Sequence, residues 1–443
     1  MSVKALTYNV WNIPVAQHTR KRIDGIAKAF EENKDGIDII GLQECWKEED
    51  RDQLVAAAKR GGLVYSIFFR SGCGFPGGNS SGLVVMSRWP ITNSFFHRFS
   101  AAGKPQKVLH WDYSMFSGKG VGLAQIQGPP EVGTIDFYVS HFVAYYTPQP
   151  GHPEHDEYVH HRCLGAWETA RFIQNTARSE SLVVCGVDLN ASDTTLTYRA
   201  LTGLGGLSDA WKEGGRARKG VLPDALAHIE EKGLTVNYAG NCYFENNAWI
   251  ASGEPSERVD FVLYREPEHI SIDWCERRFA GVEDSGTIVS LSDHAGVLAC
   301  FKAAESKQPK SLETSEMPSK PPKRLPGDSP SQTCALLDEL AASAACGIKD
   351  TEPRRKSATI KARGFAVIAF IAWAIPHCTD VSSTWLLAAL VIVSVVFAAA
   401  TFAYAVVANI AIPDEYSAMV FMLDSVNFQR QWHKSQTQSP LSI

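Results

Sequence analysis

The sequence predicts an α/β or α+β fold for residues 1–302, followed by a polar segment and two apolar helices. Strand-like runs rich in Val, Ile, Leu and Tyr alternate with helical stretches across this first region. Residues 303–332 are rich in Pro, Ser, Lys and Glu and contain no aromatic side chain, which is typical of a flexible linker. Residues 385–412 contain no Asp, Glu, Lys or Arg, which indicates a membrane-spanning helix.

Hydrophobic periodicity indicates the order of the elements in the first region. Two helices are predicted, at residues 19–33, where Ile23, Ile26 and Phe30 share one face, and at residues 162–177. A region of about 300 residues is long enough to bury a large core. Runs rich in β-branched and aromatic residues predict strands at residues 3–10, 37–42, 63–69, 82–86, 134–140, 182–187 and 259–264.

The composition excludes several classes of protein. With 45% hydrophobic and 21% charged residues, the chain of 443 residues is neither wholly disordered nor a small disulfide scaffold. A net charge of −5 disfavours a general nucleic-acid binder, because phosphate affinity needs a surplus of Lys and Arg. The ten cysteines form no C-x-x-C pair, so we expect free thiols in a reducing compartment rather than a structural zinc site. The first residues contain no apolar signal segment, so we expect the first domain to lie in the cytosol.

The C-terminal region contains two apolar runs. As a helix, residues 385–412 would exceed about 40 Å, more than the ~30 Å hydrocarbon core of a bilayer. Residues 364–378 are at the lower limit for spanning and could be a second span, a re-entrant segment or an interfacial helix. We expect the preceding segment, 303–363, to be a flexible linker with a short helix at residues 334–345.

The basic residues predict the orientation of these runs. Five of them lie at residues 354–363, before the first run, and Arg430 and Lys434 follow the second, whereas the connection at 377–384 carries no Lys or Arg. The positive-inside rule therefore predicts a helical hairpin at 364–412 with both flanks in the cytosol. The chain is then an integral membrane protein with a cytosolic first domain and a cytosolic tail at 413–443.

Polar side chains that can bind metal or move protons follow or begin several of the strands. Each has an ordinary alternative: Asn9 could cap a turn, Glu44 could be a helix N-terminal carboxylate, and Asp188 could form an Asx turn with Asn190. The His-rich stretch at 152–162 matches no zinc signature, and we expect exposed loop histidines there. The candidate residues are Asn9, Glu44, His141, Asp188, Asn190, Asp260, Asp293 and His294.

The order of these residues is more specific than any one of them. Between residues 9 and 294 the chain reads N, QE, SH, GxDxN, RxD and SDH. This order resembles that of the exonuclease–endonuclease–phosphatase superfamily over residues 3–302, and GLVVMSRWPI (82–91) resembles a strand that recurs in it. The resemblance implies a deoxyribonuclease-I-like fold, a four-layer sandwich of α/β (α+β) class with a metal-dependent phosphoesterase site at one end of two packed sheets.

Within that superfamily the chain resembles the neutral sphingomyelinase branch and its inositol phosphosphingolipid phospholipase C relatives. A C-terminal hairpin after a polar linker belongs to the same branch. The resemblance implies hydrolysis of sphingomyelin, or of a related phosphosphingolipid, to ceramide and a phosphorylated headgroup. The matching segments are LTYNVWNIP (6–14), QECW (43–46), FSGKGVGLA (116–124), DxYxxHR (156–162) and AWE (166–168).

Phosphodiester hydrolysis accounts for these residue types. It needs positive charge at an anionic phosphorus and a positioned water, and Mg²⁺ prefers hard oxygen ligands such as carboxylates. His294 is the expected general base, oriented by Asp260, because imidazole titrates near neutrality. Asp188 could instead align the water, or be the base with His294 on the phosphate. The expected roles are metal binding for Glu44, Asn9 and Asp293, substrate binding for Asn190, His141 and Lys119, and catalysis for His294, Asp188 and Asp260.

Other functions of the same fold remain as alternatives. An inositol phosphoceramide or lysophospholipid phospholipase C would differ only in headgroup or chain recognition. Inositol-phosphate phosphatases and nucleases are disfavoured, the first by Glu257-Arg258-Val259-Asp260 in place of a WCDR-type segment and the second by the hairpin. A scaffold without activity would not need Glu44 and His294. We expect a membrane phosphosphingolipid as substrate, anionic phospholipids as activators through residues 354–363, and no nucleic acid.

Overall fold

The structure is a computed structural model. It describes residues 1–13, 16–71, 80–110, 117–145, 156–215, 224–245, 256–279, 282–284, 287–304 and 330–438. Most of the predicted linker, at 305–329, and the last residues of the predicted tail, at 439–443, lie outside the described residues.

Two six-stranded sheets form the centre of the first region. In the first sheet, β1 (Ser2–Asn9) pairs in parallel with β2 (Ile39–Gln43) and antiparallel with β14 (Gly296–Ala303). In the second sheet, β7 (Thr134–His141) pairs in parallel with β8 (Leu182–Asp188), and β8 pairs antiparallel with β10 (Asp260–Arg265). The first sheet has the order β11 (Ile270–Arg278), β14 (Gly296–Ala303), β1 (Ser2–Asn9), β2 (Ile39–Gln43), β4 (Val84–Ser87) and β3 (Tyr65–Phe68). The second has the order β5 (Ile91–Arg98), β6 (Gly120–Gln127), β7 (Thr134–His141), β8 (Leu182–Asp188), β10 (Asp260–Arg265) and β9 (Ser208–Asp209).

A two-stranded ribbon and ten helices complete the described chain. The ribbon consists of β12 (Val282–Asp284) and β13 (Thr287–Val289). The helices of the first region are α1 (Thr19–Glu32), α2 (Glu48–Arg60), α3 (Val159–Thr176), α4 (Leu196–Gly205), α5 (Ala210–Glu213), α6 (Asp224–Lys232) and α7 (Cys242–Glu245). The C-terminal helices are α8 (Pro330–Cys378), α9 (Thr384–Val406) and α10 (Ile412–Gln438), with a π-helical turn at Val407–Ala411 between the last two.

Three apolar clusters arrange these elements in four layers. The first lies between α1, α2 and the first sheet, and includes Ile23, Phe30 and Leu6. The second lies between the two sheets, where Phe137 packs close against Gly41. The third lies between the second sheet and helices α3 and α4. The predicted α/β (α+β) four-layer sandwich is therefore confirmed, since the burial of alternate faces requires a helical layer on each side of the sheet pair.

The C-terminal region differs from the prediction. The expected short helix at 334–345 is the start of α8, which continues through residues 346–363 into the first apolar run. Ala, Lys, Arg and Glu in that stretch favour a helix, and Pro353 removes one backbone hydrogen bond without ending it. The predicted tail is also helical, as α10, and it packs on the first region. Residues 330–363, which were predicted to be mostly flexible linker, therefore form one continuous helix with the first apolar run.

Candidate active site

The two central pairs of strands place the predicted residues at one end of the sandwich. Asn9 ends β1 beside Gln43, the last residue of β2, and Glu44 follows directly. His141 ends β7 beside Asp188, the last residue of β8. Asp188 also pairs across an antiparallel ladder with Asp260, the first residue of β10. Because parallel strands end at the same edge of a sheet, register brings the side chains together within each sheet, and the packing of the two sheets brings the two groups together.

Asp188 lies at the centre of the site and is fully buried. Its Oδ2 accepts a hydrogen bond of 2.8 Å from the Asn9 side-chain amide, and its Oδ1 accepts one of 2.9 Å from the Asn190 backbone N–H. The Asn9 Oδ1 in turn accepts from the Trp11 backbone N–H. Asp188 therefore forms an Asx turn with Asn190 and also lies in the site. With both oxygens engaged, Asp188 is better placed to orient its neighbours than to take a proton.

Lys119 and His141 lie side by side in the site, and Lys119 carries the positive charge. The Lys119 ammonium lies 2.9 Å from Nε2 of His141, and both residues are buried. The same Nε2 lies 3.6 Å from Oε1 of Glu44 and 3.5 Å from Oδ2 of Asp188. Burial and then the adjacent Lys119 charge hold the pKa of His141 well below its usual value. The imidazole is therefore neutral, and Lys119 supplies the cation.

His294 and Asp260 form a hydrogen-bonded pair on the other side of Asp188. Nδ1 of His294 lies 2.8 Å from Oδ2 of Asp260, and Nε2 lies 4.0 Å from Oδ1 of Asp293. Burial lowers the pKa of His294, but Asp260, Asp293 and Asp188 outweigh it and raise that pKa well above its usual value. Ser292 fixes the loop, since its hydroxyl donates to the Asn9 carbonyl and accepts from the His294 backbone N–H.

Asn190, a predicted substrate donor, is engaged in a hydrogen bond within the site. Its side-chain Nδ2 donates a hydrogen bond of 3.1 Å to the carbonyl of Phe142, directly after His141. Its backbone is left-handed, with φ of 47°, as is that of Glu44, with φ of 56°. Such conformations are tolerated by Asn and are strained for Glu, and strain of this kind clusters at functional sites. Asn190 thus connects the ends of β7 and β8.

The carboxylates of the site have too few positively charged neighbours to balance their negative charge. Burial and then Asp293 raise the pKa of Glu44 to about 7, and burial and then Asp260 raise the pKa of Asp188 to about 6. Burial also raises the pKa of Asp293. Within the described residues, Oε2 of Glu44 and Oδ1 of Asp260 are buried without a hydrogen-bond partner. A divalent cation beside Glu44 would reduce the repulsion between Glu44 and Asp293 and would give the unpaired oxygen of Glu44 a partner. The donor set therefore fits a metal ion.

Two sets of ligands compete for such an ion. The predicted set is Glu44, Asn9 and Asp293. A second cluster, of Asp188, Asp260 and His294, offers ligand atoms that all lie within 4.8 Å of one another. We predict that the ion binds at the first set, because this set contains Glu44, whose Oε2 is buried without a hydrogen-bond partner among the described residues.

The structure adds residues to the site that the sequence did not identify. Arg22 is fully buried in α1, and its guanidinium donates to the carbonyls of Val10, Trp11 and Leu291. It thereby ties the loop after Asn9 to the loop before Ser292. The signal was its position on the apolar face of α1, four residues before Ile26. The expectation of exposed histidines at 152–162 is wrong for His161, which is buried beneath α10.

We predict that acidification weakens metal binding at this site. Metal ligands must be deprotonated, so protons compete with Mg²⁺ at Glu44 below its pKa of about 7. Affinity should be nearly constant above the pKa of Glu44, about 7, and should fall by up to about tenfold per pH unit below it, for the one proton displaced. Calorimetric titration with Mg²⁺ in buffers of different ionisation enthalpy measures both the affinity and the protons released. An affinity independent of pH would contradict this assignment of Glu44.

The fold and the site together define a two-sheet α/β phosphoesterase, and the comparisons with known proteins agree. Residues 6–294 match the Endonuclease/Exonuclease/phosphatase family, and the chain belongs to that family. Sphingomyelin phosphodiesterase 2 of Rattus norvegicus is 30% identical over 309 residues, which cover 68% of this chain and 65% of the rat protein. Inositol phosphosphingolipids phospholipase C of Saccharomyces cerevisiae is 28% identical over 324 residues, which cover 66% of this chain and 62% of the yeast protein.

Among solved structures, the beta toxin of Staphylococcus aureus is similar at 17% identity and a TM-score of 0.49, over 67% of this chain and 99% of the toxin. The resemblance to the superfamily and to its sphingomyelinase branch, given by the sequence motifs, is confirmed. The chain spans less than two thirds of the length of these two curated relatives.

Proposed function

We propose that this protein is a membrane-anchored, Mg²⁺-dependent phospholipase C that hydrolyses sphingomyelin or a related phosphosphingolipid to ceramide and a phosphorylated headgroup. The observation that carries the proposal is that two groups of side chains border Asp188. The His294–Asp260 pair is one, and His141, with Glu44 and Lys119 beside it, is the other. The first group suits proton transfer, and the second suits binding of a cation and an anionic phosphate. The names of the rat and yeast relatives support a phosphosphingolipid as substrate.

The chain's own residues divide the reaction as follows. Asp260 holds Nδ1–H of His294, so that Nε2 accepts the proton of the attacking water. Lys119 and the neutral His141 donate hydrogen bonds to the non-bridging phosphate oxygens. The phosphorus–oxygen bond to ceramide then breaks, the ceramide oxygen takes up a proton from solvent water, and His294 returns its proton to solvent.

Mg²⁺ held by Glu44, Asn9 and Asp293 would supply Lewis-acid polarisation of the phosphoryl group and would offset the carboxylate field that protonates His294. Asp188 holds Asn9 and Asn190 in position through its two hydrogen bonds.

The C-terminal helices support the membrane part of the proposal. Two helices of the described chain are long and apolar enough to cross a membrane, and the most apolar window of the second has no buried residue. Large apolar side chains such as Trp385, Val395 and Phe402 are exposed there. Exposure of this extent is unfavourable in water and favourable in lipid. The connection at 377–384, which carries no Lys or Arg, and the basic flank at 354–363 support a hairpin whose ends, and whose catalytic domain, face the cytosol.

The proposal predicts Mg²⁺-dependent release of a phosphorylated headgroup. The full chain in mixed micelles is supplied with sphingomyelin, inositol phosphoceramide or a lysophospholipid, with Mg²⁺ or with EDTA. We expect release from at least one of the two phosphosphingolipids, lost in EDTA and restored by Mg²⁺. Release from the lysophospholipid alone would transfer the assignment to that substrate class. Release that persists in EDTA would contradict the metal assignment.

We further predict that anionic phospholipid raises turnover through the basic flank. Arg355, Lys356, Lys361 and Arg363 are exposed on α8 within ten residues of the first apolar run. Each such charge attracts anionic headgroups by about 1 kcal/mol near a membrane surface. Turnover should therefore rise with the phosphatidylserine content of the micelles, and the double variant Arg355→Gln/Arg363→Gln should lose most of the increase. If turnover by the unmodified protein does not change with phosphatidylserine content, this activation is ruled out.

A further inference from the structure

Helices α8 and α10 pack on the catalytic domain as part of its core. Leu337 and Leu340 of α8, with Met419 and Met422 of α10, are fully buried in the same apolar cluster as α3, α4 and the second sheet. Contacts of this kind, unlike those of a tether, fix both the position and the tilt of the two helices.

The contacts along α8 show which way it runs along the domain. The side chain of Glu339 binds Arg199 in α4, and four residues later Ser343 binds His160, in the first turn of α3. About two and three turns further on, Asp350 binds Lys104 and Arg354 binds Gln106, both in the connection between β5 and β6.

The first turn of α3 and that loop both lie at the active-site end. The chain enters α3 from the end of β7, where His141 lies. Arg98 at the end of β5 pairs with Gly120 at the start of β6, next to Lys119. Helix α8 therefore runs from the body of the domain, past the active-site end, and into the first apolar run.

A buried cluster locks the helices to the domain at this level. The guanidinium of Arg354 on α8 donates to both oxygens of Glu415 on α10, at 2.7 and 2.8 Å. Oε1 of Glu415 also lies 2.9 Å from Nε2 of His161 on α3. Glu415 and His161 are each about 4% exposed. One carboxylate thus connects α3, α8 and α10, the three helices that meet where the domain ends and the hairpin begins.

We infer that α8 and α10 form a rigid stalk that holds the active-site end of the catalytic domain against the lipid surface, with Glu415 as its latch. This inference rests on the proposed membrane anchoring. Ten residues separate Arg354 from Gly364, the first residue of the apolar run. At 1.5 Å per residue, the latch lies about 15 Å from the start of the hydrocarbon-compatible segment. A phosphosphingolipid in that leaflet then presents its headgroup to Lys119 and His141 without leaving the bilayer.

The orientation is tested by fluorescence, which needs no activity. A donor fluorophore is attached through a noncanonical residue at exposed Thr194, at the active-site end, or at exposed Glu131, between β6 and β7 at the opposite end. These ends are about 25 Å apart, the length of an eight-residue strand. In nanodiscs with acceptor-labelled lipid headgroups, the stalk predicts stronger energy transfer from Thr194 than from Glu131. Equal or reversed transfer overturns the inference, whatever the protein hydrolyses.

The latch is tested by Glu415→Gln, with Asp414→Asn as matched control, since Asp414 is the neighbouring carboxylate but is exposed. For Glu415→Gln we expect the difference in transfer between Thr194 and Glu131 to narrow. Turnover of sphingomyelin in the nanodisc should fall about tenfold, because misplacement of the cleft costs productive encounters. Turnover of a short-chain, monomeric analogue should not change, because the cleft is intact.

Equal loss on both substrates would show that Glu415 only stabilises the domain, and an unchanged transfer difference would show that it is no latch. Either result overturns its role. A protein that hydrolyses neither substrate contradicts the proposed function, while the transfer measurement still decides the orientation.

Discussion

His294→Ala should lower headgroup release by about 10²–10⁴-fold with little change in KM, the usual contribution of a general base. Removal of the imidazole leaves the attacking water without an acceptor, whereas Lys119 and His141 still bind the phosphate. Asp260→Asn should have a smaller effect in the same direction, because His294 keeps its place but loses the partner that fixes its tautomer. Initial rates of headgroup release over a range of lipid mole fractions measure kcat and KM separately.

A matched control and a competing role decide how this result is interpreted. His269→Ala is the control, because His269 follows β10 far from Asp260, and its Nε2 contacts the carbonyl of Val132. It should leave the rate unchanged. If Asp188 is the base instead, Asp188→Asn should cost at least as much as His294→Ala, and the latter should raise KM. An increase in KM with kcat retained would therefore move the base to Asp188.

Two central strands of the second sheet could be predicted closely from the sequence, whereas the equally buried β6 and β14 were missed. The runs predicted at 134–140 and 182–187 are observed as β7 and β8 with one residue added to each. Both are central strands of a sheet covered by layers on both sides, so burial alone makes them apolar. In contrast, β5 was missed. It is the edge strand of the second sheet, most of its residues are exposed, and pairing with β6 rather than burial holds it in place.

The site could be located from the sequence, but its internal contacts could not. The positions of Asn9, His141 and Asp188 at strand ends follow from local apolar runs, and parallel pairing brings such ends together. The hydrogen bond from Asn9 to Asp188 joins residues 179 positions apart, and it depends on how the two sheets pack. Arg22 was missed for a related reason, because its partners are backbone carbonyls, which no sequence pattern displays.

The C-terminal helices show the same limit at a larger scale. A segment rich in charge and containing Pro353 is typical of a linker when it is considered alone. The burial of Leu340 and Met419 depends on the partner face that α3 and α4 provide, and tertiary packing of this kind overrides local composition. The apolar runs themselves lie in the two helices that are long and apolar enough to cross a membrane, because length and the lack of charge are properties of the sequence.

The negative charge of the buried carboxylates explains why the site requires an added cation while His141 stays neutral. Glu44 and Asp293 repel each other, and burial adds to the cost of ionising them near neutral pH. Lys119 relieves part of this repulsion, but it also keeps His141 neutral. The positive charge that the carboxylates still require is therefore the charge of an added cation, which links metal binding to the protonation of the site.

Glu44→Gln should raise the Mg²⁺ concentration for half-maximal activity by at least about 100-fold, since loss even of groups that only support a ligand typically costs 10- to 100-fold. The amide keeps the shape of Glu44 but cannot supply the charge that Mg²⁺ requires. Activity against Mg²⁺ concentration gives this value, and calorimetry without lipid gives the binding constant. Glu31→Gln is the control, because Glu31 is a half-exposed carboxylate on α1 paired with Arg60.

The same variant makes an opposite prediction for stability without metal. The pKa of Glu44 is raised to about 7 in the folded state, above its unfolded value, so its ionisation above that pH destabilises the fold. In EDTA at pH 8, Glu44→Gln should therefore unfold at a temperature equal to or higher than that of the unmodified protein. Mg²⁺ should stabilise the unmodified protein and leave the variant unchanged, because a ligand stabilises only the state that binds it. A variant less stable in EDTA would show that Glu44 serves the fold rather than the metal.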